Sequence, residues 1–101
     1  MFGLFQKKDE VSLKVLVANG AIVVDVRGEV EFACGHSKDA VNVPLDRITS
    51  LITEYGDVST CFIVCCQSGG RSSVAKSILK KAGYENVYDG GGWQDLERKI
   101  G

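Results

Sequence analysis

A cysteine pair at the end of an apolar run is the part of this sequence best suited to chemistry. The run from Cys61 to Cys65 is continuously apolar and β-favouring, which is typical of a strand buried on both faces of a parallel sheet. Cys66 follows, and a glycine-rich turn then leads into residues 74–82, whose apolar positions recur at helical spacing. The sequence therefore predicts a cysteine where a strand ends and a helix begins. Unpaired amides and the positive end of the helix dipole stabilise a thiolate at such a place.

The turn after this cysteine pair contains residue types that bind anions. Gly69 and Gly70 let the backbone bend towards the sulfur without a Cβ clash, and Arg71 adds a fixed positive charge with a fork of donors. We expect a cysteine in these surroundings to have a pKa below its usual value, and the thiolate is the reactive form. Residues 66–72 thus predict a nucleophile held beside an anion-binding loop.

The composition excludes several classes of function. The chain has 101 residues, 45% hydrophobic and 25% charged, as expected of one globular domain. Its formal net charge is −1 without a dense block of Lys and Arg, so no nucleic-acid partner is expected. Because no apolar run has membrane-spanning length and no secretory signal is recognisable, we expect no membrane partner and a cytoplasmic location. The four cysteines form no Cys-x-x-Cys pair, so we expect no metal and no cofactor.

Strand patterns alternate with helix patterns along the chain. Residues 11–17 begin as a short extended stretch leading into a helix, and apolar strand patterns occupy 21–26, 40–43, 61–65 and 85–89. Helical patterns occupy 29–33, 44–55, 74–82 and the end of the chain from Trp93. This alternation predicts an α/β fold with a small central parallel sheet of about five strands and helices on both faces. We expect residues 1–10 to be a flexible N-terminal segment and residues 11–101 to form the domain.

Three further polar residues lie near predicted strand or helix ends. The strand at 21–26 ends in a charged pair, with Asp25 near its end and Arg27 directly after it, and ligands of open α/β sheets bind beyond the carboxyl ends of strands. These two residues could bind a ligand or simply satisfy polar groups at the end of the sheet. His36, the single histidine, could act as a base or fix a turn by hydrogen bonds.

Several motifs, in a fixed order across nearly the whole chain, resemble those of single-domain rhodanese-type sulfurtransferases. Each motif alone is weak, and it is their order and spacing that make the resemblance strong. They are Val23-Val24-Asp25-Val26-Arg27, Glu31-Phe32, Gly35-His36, Ala40-Val41-Asn42-Val43-Pro44-Leu45, Cys66-Gln67-Ser68-Gly69-Gly70-Arg71-Ser72, Ala82-Gly83-Tyr84, Val87-Tyr88 and Gly91-Gly92-Trp93.

The resemblance implies a sulfurtransferase with a rhodanese-like fold and with Cys66 as its nucleophile. By this resemblance the Cys66 thiolate takes the sulfane sulfur of thiosulfate or another persulfide donor, and a thiol or cyanide acceptor, including a protein thiol, removes it. Asp25 and Arg27 correspond to a structural pair beside the site, and His36 to a turn histidine. The implied anion- and persulfide-binding loop consists of Gln67, Ser68, Gly69, Gly70, Arg71 and Ser72.

The sequence departs from the family pattern at two places. Ser37-Lys38-Asp39 stands where many relatives have an Ile-Pro-Gly-like run. Cys65 stands before the nucleophile, and strand alternation predicts that it faces the core. A disulfide between Cys65 and Cys66 would strain the peptide that joins them.

Two other functions remain open at this point. Counted from Cys65, the loop has the spacing of cysteine-dependent phosphatases, although Val64 stands where that family has His. A phosphatase that uses Cys65 is therefore one alternative. The other is a non-catalytic rhodanese-like binding or carrier module, because a fold does not fix a function.

Overall fold

The computed structural model describes residues 12–101, so the flexible segment expected at residues 1–10 lies outside the described part of the chain. Helices and strands alternate throughout this part. The helices are α1 (Leu13–Ala18), α2 (Glu29–Ala33), α3 (Ser50–Glu54), α4 (Gly70–Lys81) and α5 (Trp93–Ile100). The strands are β1 (Ile22–Asp25), β2 (Val41–Asn42), β3 (Cys61–Cys66) and β4 (Asn86–Gly92), and a short 3₁₀ helix spans Leu45–Arg47. None of these helices is long and apolar enough to cross a membrane.

The strands form one parallel sheet in the order β2-β1-β3-β4, which confirms the predicted α/β fold. Within residues 12–101 the sheet has four strands, where about five were expected. The extended stretch expected at the start of residues 11–17 is instead helical from Leu13, and the Ser12 side chain accepts a hydrogen bond from the Val15 amide at the helix start. Leu13, Leu16 and Val17 have helical spacing, and they pack together against the core.

Helices cover both faces of β3, so the protein has two cores. Phe62, Val64 and Cys66 face one core, which Leu79 of α4 also enters. Ile63 and Cys65 face the other core, where they meet residues of α1 and α5. Successive side chains of a strand point to opposite faces, so both sets must be apolar. This explains why the strand has no polar alternation in the sequence.

The single helix predicted at residues 44–55 is wrong, because the structure divides it into the 3₁₀ helix and α3. The Arg47 amide donates to the Pro44 carbonyl at 2.8 Å, and the Ile48 amide donates to the Leu45 carbonyl at 3.1 Å. Such i to i−3 bonds wind the chain more tightly than an α-helix. The Leu45 amide also donates to the Val26 carbonyl at 3.0 Å, so this segment is fixed to the end of β1.

The strand β4 continues through three glycines, Gly90 to Gly92, beyond the end predicted at residue 89. A bulge beside Val64 and Cys65 lets the pairing continue, with Cys65 opposite Gly91 and Cys66 opposite Gly92. Because all strands are parallel, their carboxyl ends meet at one edge of the sheet. The sequence-predicted nucleophile lies at that edge.

Candidate active site

Cys66 is the last residue of β3, and its sulfur lies at the start of α4. The side chain is only 1% exposed, and its Sγ atom accepts a hydrogen bond from the Gly69 amide at 2.9 Å. Gly69 has a φ of 105°, a left-handed conformation that favours glycine. This turn directs the Gly69 amide back towards the sulfur. The sulfur therefore occupies the amide-lined position that an anion takes at a helix N-terminus.

The surroundings of Cys66 lower its pKa from the ordinary value of 9.0. Burial is the largest single influence and raises the pKa. The Ser72 hydroxyl and the amides of Ser72, Gly69 and Ser68 act in the opposite direction, and together they outweigh burial. Hydrogen bonds to a thiolate favour the ionised form, so this thiol is more acidic than an ordinary cysteine.

Cys65 has the opposite environment. It is fully buried in the core on the other face of the sheet, as strand alternation predicts. Burial, followed by the charge of Asp25, raises the pKa of the Cys65 thiol to about 12. The two sulfurs point to opposite faces of β3, which disfavours a disulfide between them. Cys65 is therefore poorly placed to act as a nucleophile.

Arg71, which the sequence predicts to contribute positive charge to the anion-binding loop, forms an ion pair with Glu31. Its Nη1 and Nη2 atoms donate to the two carboxylate oxygens of Glu31 at 2.7 and 2.9 Å. Glu31 also accepts the Gly28 amide at 3.0 Å, at the start of α2. The bonds from Arg71 and then Gly28 lower the pKa of Glu31 to about 2. Glu31 was not among the site residues predicted from the sequence, although a Glu three residues after Gly28 is a capping signal.

Asp25 and Arg27 form a buried ion pair near the end of β1. Arg27 Nη2 donates to Asp25 Oδ2 at 2.8 Å and to the Gly35 carbonyl at 2.7 Å, and the two side chains are 0% (Asp25) and 4% (Arg27) exposed. The guanidinium also lies 5.0 Å from the centre of the Trp93 ring. The pair thus connects β1, the turn after α2 and the start of α5, an arrangement that fits a structural role.

His36 is exposed and is engaged in the turn that follows α2. Its Nδ1 atom lies 2.8 Å from the Phe32 carbonyl, and its ring stacks on Phe32 with centroids 3.7 Å apart. These contacts fit a turn histidine rather than a base. Asp39 ends the Ser37-Lys38-Asp39 stretch that replaces the Ile-Pro-Gly-like run of many relatives. Its φ of 68° lies in the region that favours glycine.

Three of the remaining loop residues are exposed at the surface, and Ser72 is not. Gln67, Ser68 and Gly70 are exposed, whereas the Ser72 side chain is fully buried. The backbone of the loop packs closely on β4, because a Cβ atom added to Gly92 would lie 2.8 Å from the Gln67 carbonyl oxygen. Gly92 therefore permits the close approach of the two segments.

Ser72 connects the sulfur to a residue that the sequence analysis did not place in the site. The Ser72 Oγ atom lies 3.5 Å from Cys66 Sγ, 3.1 Å from the Gly69 carbonyl oxygen and 2.7 Å from Asp89 Oδ1. Asp89 also accepts the Gly91 amide at 2.8 Å. A charged residue near the end of a strand is the same signal that singled out Asp25, and it could have identified Asp89. Among residues 12–101, no group of three or more His, Cys, Asp and Glu side chains is placed to hold a metal ion.

The fold and the site together define a class of protein: a parallel α/β sheet that carries a cysteine of lowered pKa between a central strand and the next helix. Within that class, the chain belongs to the rhodanese-like family, because residues 9–99 match the model of the Rhodanese-like domain. The family expected from the sequence is thereby confirmed.

Two curated relatives have sulfurtransferase names. The chain is 32% identical over 101 residues to an adenylyltransferase and sulfurtransferase of Ogataea parapolymorpha, a match that covers 98% of this chain and 26% of that protein. It is 34% identical over 74 residues to a thiosulfate sulfurtransferase of Escherichia coli K12, covering 72% of this chain and 71% of that protein. This chain thus spans about a quarter of the first relative's length.

Solved structures share the fold. A structure described as a rhodanese with anions from E. coli has a TM-score of 0.70 and 31% identity, covering 75% of this chain and 91% of that one. A human single-domain sulfurtransferase has a TM-score of 0.70 and 22% identity, covering 84% of this chain and 88% of that one. The second likeness concerns the fold alone.

Proposed function

We propose that this protein is a sulfurtransferase that carries a sulfane sulfur as a persulfide on Cys66. The donor is thiosulfate or another persulfide donor, and the acceptor is cyanide or a thiol, including a protein thiol. The observation that carries this proposal is the hydrogen bond from the Gly69 amide to Cys66 Sγ at 2.9 Å. The thiosulfate sulfurtransferase name of a relative supports the choice of donor.

The chemistry consists of two displacements at sulfur. The Cys66 thiolate attacks the outer sulfur of thiosulfate, a new S–S bond forms, and the old S–S bond breaks with its electron pair leaving as sulfite. The enzyme is left as a persulfide whose outer sulfur is negatively charged. Cyanide or a thiolate then attacks that outer sulfur, which releases thiocyanate or a new persulfide and restores the Cys66 thiolate. Neither displacement needs a proton. A cysteine of lowered pKa with fixed amide donors is therefore enough for both steps.

The loop supports both charged forms of the enzyme. Its amides provide donors for the thiolate and for the outer persulfide sulfur that are already oriented, whereas water must reorganise around the same charges. Within the loop, Arg71 contributes positive charge while Glu31 holds its guanidinium in place. Asp25 and Arg27 hold the neighbouring strand end, and His36 holds the turn after α2. The anion-binding loop in this proposal is Gln67, Ser68, Gly69, Gly70, Arg71 and Ser72.

The phosphatase alternative receives no support from the surroundings of Cys65. A phosphatase would need Cys65 as a thiolate facing the loop, whereas its side chain lies in the core on the other face of β3 and burial raises its pKa to about 12. The other alternative, a non-catalytic binding or carrier module, would form no thiocyanate from thiosulfate and cyanide, so the assay below separates it from the enzyme.

The test is thiocyanate formation from thiosulfate and cyanide by the wild type and two cysteine variants. Cys66→Ala should abolish turnover, and Cys65→Ala should retain most of it because that thiol packs in the opposite core. Circular dichroism and thermal melting establish that each variant is folded. Turnover that survives in Cys66→Ala, or a folded wild type that is inactive with both thiosulfate and a small-molecule persulfide, would contradict the proposal.

A further inference from the structure

The Ser72 hydroxyl is placed between the sulfur and a carboxylate. A serine hydroxyl has one hydrogen to donate, and three acceptors surround it here. They are Cys66 Sγ at 3.5 Å, the Gly69 carbonyl oxygen at 3.1 Å and Asp89 Oδ1 at 2.7 Å. The Ser72 hydroxyl can therefore donate to the Cys66 thiolate only when its hydrogen points away from Asp89 and from the Gly69 carbonyl.

Asp89 is the strongest of the competing acceptors. A hydrogen bond to an ionised carboxylate is shorter and about twice as strong as one to a neutral group. The Gly91 amide donates to the same Asp89 oxygen at 2.8 Å, which fixes the carboxylate in position. The Ser72 hydroxyl donates to Asp89 and accepts the S–H of the neutral Cys66 thiol. When Cys66 is ionised, Asp89 competes with the sulfur for the Ser72 hydrogen and so weakens the bond by which Ser72 lowers the pKa of Cys66.

The two charged forms of the enzyme differ in what they require from Ser72. In the free enzyme the negative charge is on Cys66 Sγ, which needs the Ser72 hydrogen. In the persulfide, Sγ is a neutral bridging sulfur and the charge has moved to the outer sulfur. The Ser72 hydroxyl can then stay with Asp89 at no cost to the loaded form.

We propose that Asp89 is a positioning residue that acts through Ser72: it competes for the Ser72 hydrogen, weakens the hydrogen bond to the free Cys66 thiolate and so favours the sulfur-loaded enzyme. The effect on the thiolate is independent of any substrate, whereas the effect on loading rests on the proposed sulfurtransferase function. Loading itself is the first displacement described above, in which the Cys66–sulfur bond forms and sulfite leaves with the electron pair of the broken bond.

Other charged groups near Cys66 act independently of Asp89. The pKa of Arg71, at the start of α4, is raised first by its bonds to Glu31 and to a smaller extent by the charge of Cys66. It is paired with Glu31 of α2, and the Asp25–Arg27 pair lies near the end of β1 beside Cys65. These groups are the same in an Asp89 variant, so their influence cancels in a comparison with the wild type.

The test is the pH dependence of iodoacetamide alkylation at Cys66 in Asp89→Asn, followed by peptide mass spectrometry so that the exposed Cys34 does not contribute. Asparagine keeps an oxygen for the Gly91 amide but is a weaker acceptor for Ser72. We expect the apparent pKa of Cys66 to fall by about 0.5–1 unit, the size of one redirected hydrogen bond. In a Ser72→Ala background, the same substitution should have a clearly smaller effect.

Asp57 offers a matched control. Its Oδ1 atom accepts hydrogen bonds from the Ser59 amide at 2.9 Å and from the Ser59 hydroxyl at 2.7 Å. Asp89 likewise accepts one backbone amide and one serine hydroxyl. It precedes β3, whereas Cys66 ends that strand, so Asp57→Asn should leave the pKa of Cys66 unchanged. An unchanged or raised pKa in Asp89→Asn would overturn the proposal. An equal fall with and without Ser72 would also overturn it, since charge alone would then be the cause.

The loading effect has its own measurement. At a pH where Cys66 is fully ionised and at a fixed ratio of thiosulfate to sulfite, the ratio of loaded to free Asp89→Asn should fall by about three- to tenfold, the equilibrium equivalent of that pKa change. A ratio equal to that of the wild type would refute the effect on loading. If no form loads, the sulfurtransferase proposal fails, while the alkylation profile still decides the link from Asp89 to Cys66.

Discussion

Glu31 and Arg71 form a two-point ion pair, at 2.7 and 2.9 Å, that joins α2 to the first turn of α4 across forty residues of sequence. Arg71, the charged residue of the loop at residues 66–72, is thus fixed by an element outside the loop. The guanidinium charge stays beside the loop in a set orientation, and a free arginine side chain would have to lose rotamer freedom to do the same.

The first prediction concerns the acid stability of this pair. The folded-state pKa of Glu31, about 2, lies below its ordinary value of 4.5. Its ionised form therefore contributes stability above about pH 4.5, and this contribution is lost as the pH falls towards 2. We expect urea unfolding to show a constant stability difference between the wild type and Glu31→Gln from neutral pH to about 4.5, and a shrinking difference below that. A difference that vanishes already above pH 4.5 would show that Glu31 is not held by Arg71.

The second prediction concerns the close approach of β4 to the loop. A Cβ atom at position 92 would lie 2.8 Å from the Gln67 carbonyl oxygen, so Gly92→Ala must displace the loop. We expect a loss of about 1–3 kcal/mol in unfolding free energy from this crowding. We also expect a roughly tenfold to hundredfold loss of thiocyanate formation, because small displacements of reacting groups are costly.

Gly56→Ala is the control for this substitution. No atom lies within 4 Å of a Cβ added at position 56, so both stability and turnover should remain close to those of the wild type. If Gly92→Ala behaves like Gly56→Ala, the predicted contact with Gln67 is wrong.

The third prediction compares two ion pairs of nearly equal length. Arg27 meets Asp25 at 2.8 Å in the interior, and Arg47 meets Glu29 at 2.9 Å at the surface. Arg27→Leu leaves Asp25 buried without its partner, which should cost about 3–5 kcal/mol of unfolding free energy. Arg47→Leu should cost far less, because water screens its partner. Chemical denaturation of both variants measures the difference, and equal losses would contradict the structural role of the buried pair.

The sequence predicted the fold where local pattern and packing agree. The helix at Glu29–Ala33 has the predicted bounds, and the β3 strand is continuous because both of its faces are buried. The helix after Pro44 was predicted too long, since apolar spacing does not distinguish an α-helix from a 3₁₀ helix followed by a short α-helix. The extension of β4 through Gly92 depends on its pairing with Cys66, which no local pattern contains.

The candidate site was predicted less completely than the fold. The loop motif and the position of Cys66 follow from the sequence, because strand, turn and helix signals adjoin there. The partners of the loop do not, since Glu31 is 40 residues from Arg71 and Asp89 is 17 residues from Ser72. Only the parallel sheet brings these residues to one edge.

The most direct test of the account is to locate the sulfur taken from thiosulfate by peptide mass spectrometry. We predict that the wild type and Cys65→Ala gain the mass of one sulfur atom on Cys66, and that cyanide removes it as thiocyanate. Cys66→Ala, which keeps the exposed Cys34, should gain none. Sulfur found on another cysteine of the folded wild type, or no gain of sulfur at all, would contradict the assignment of Cys66 as the sulfur carrier.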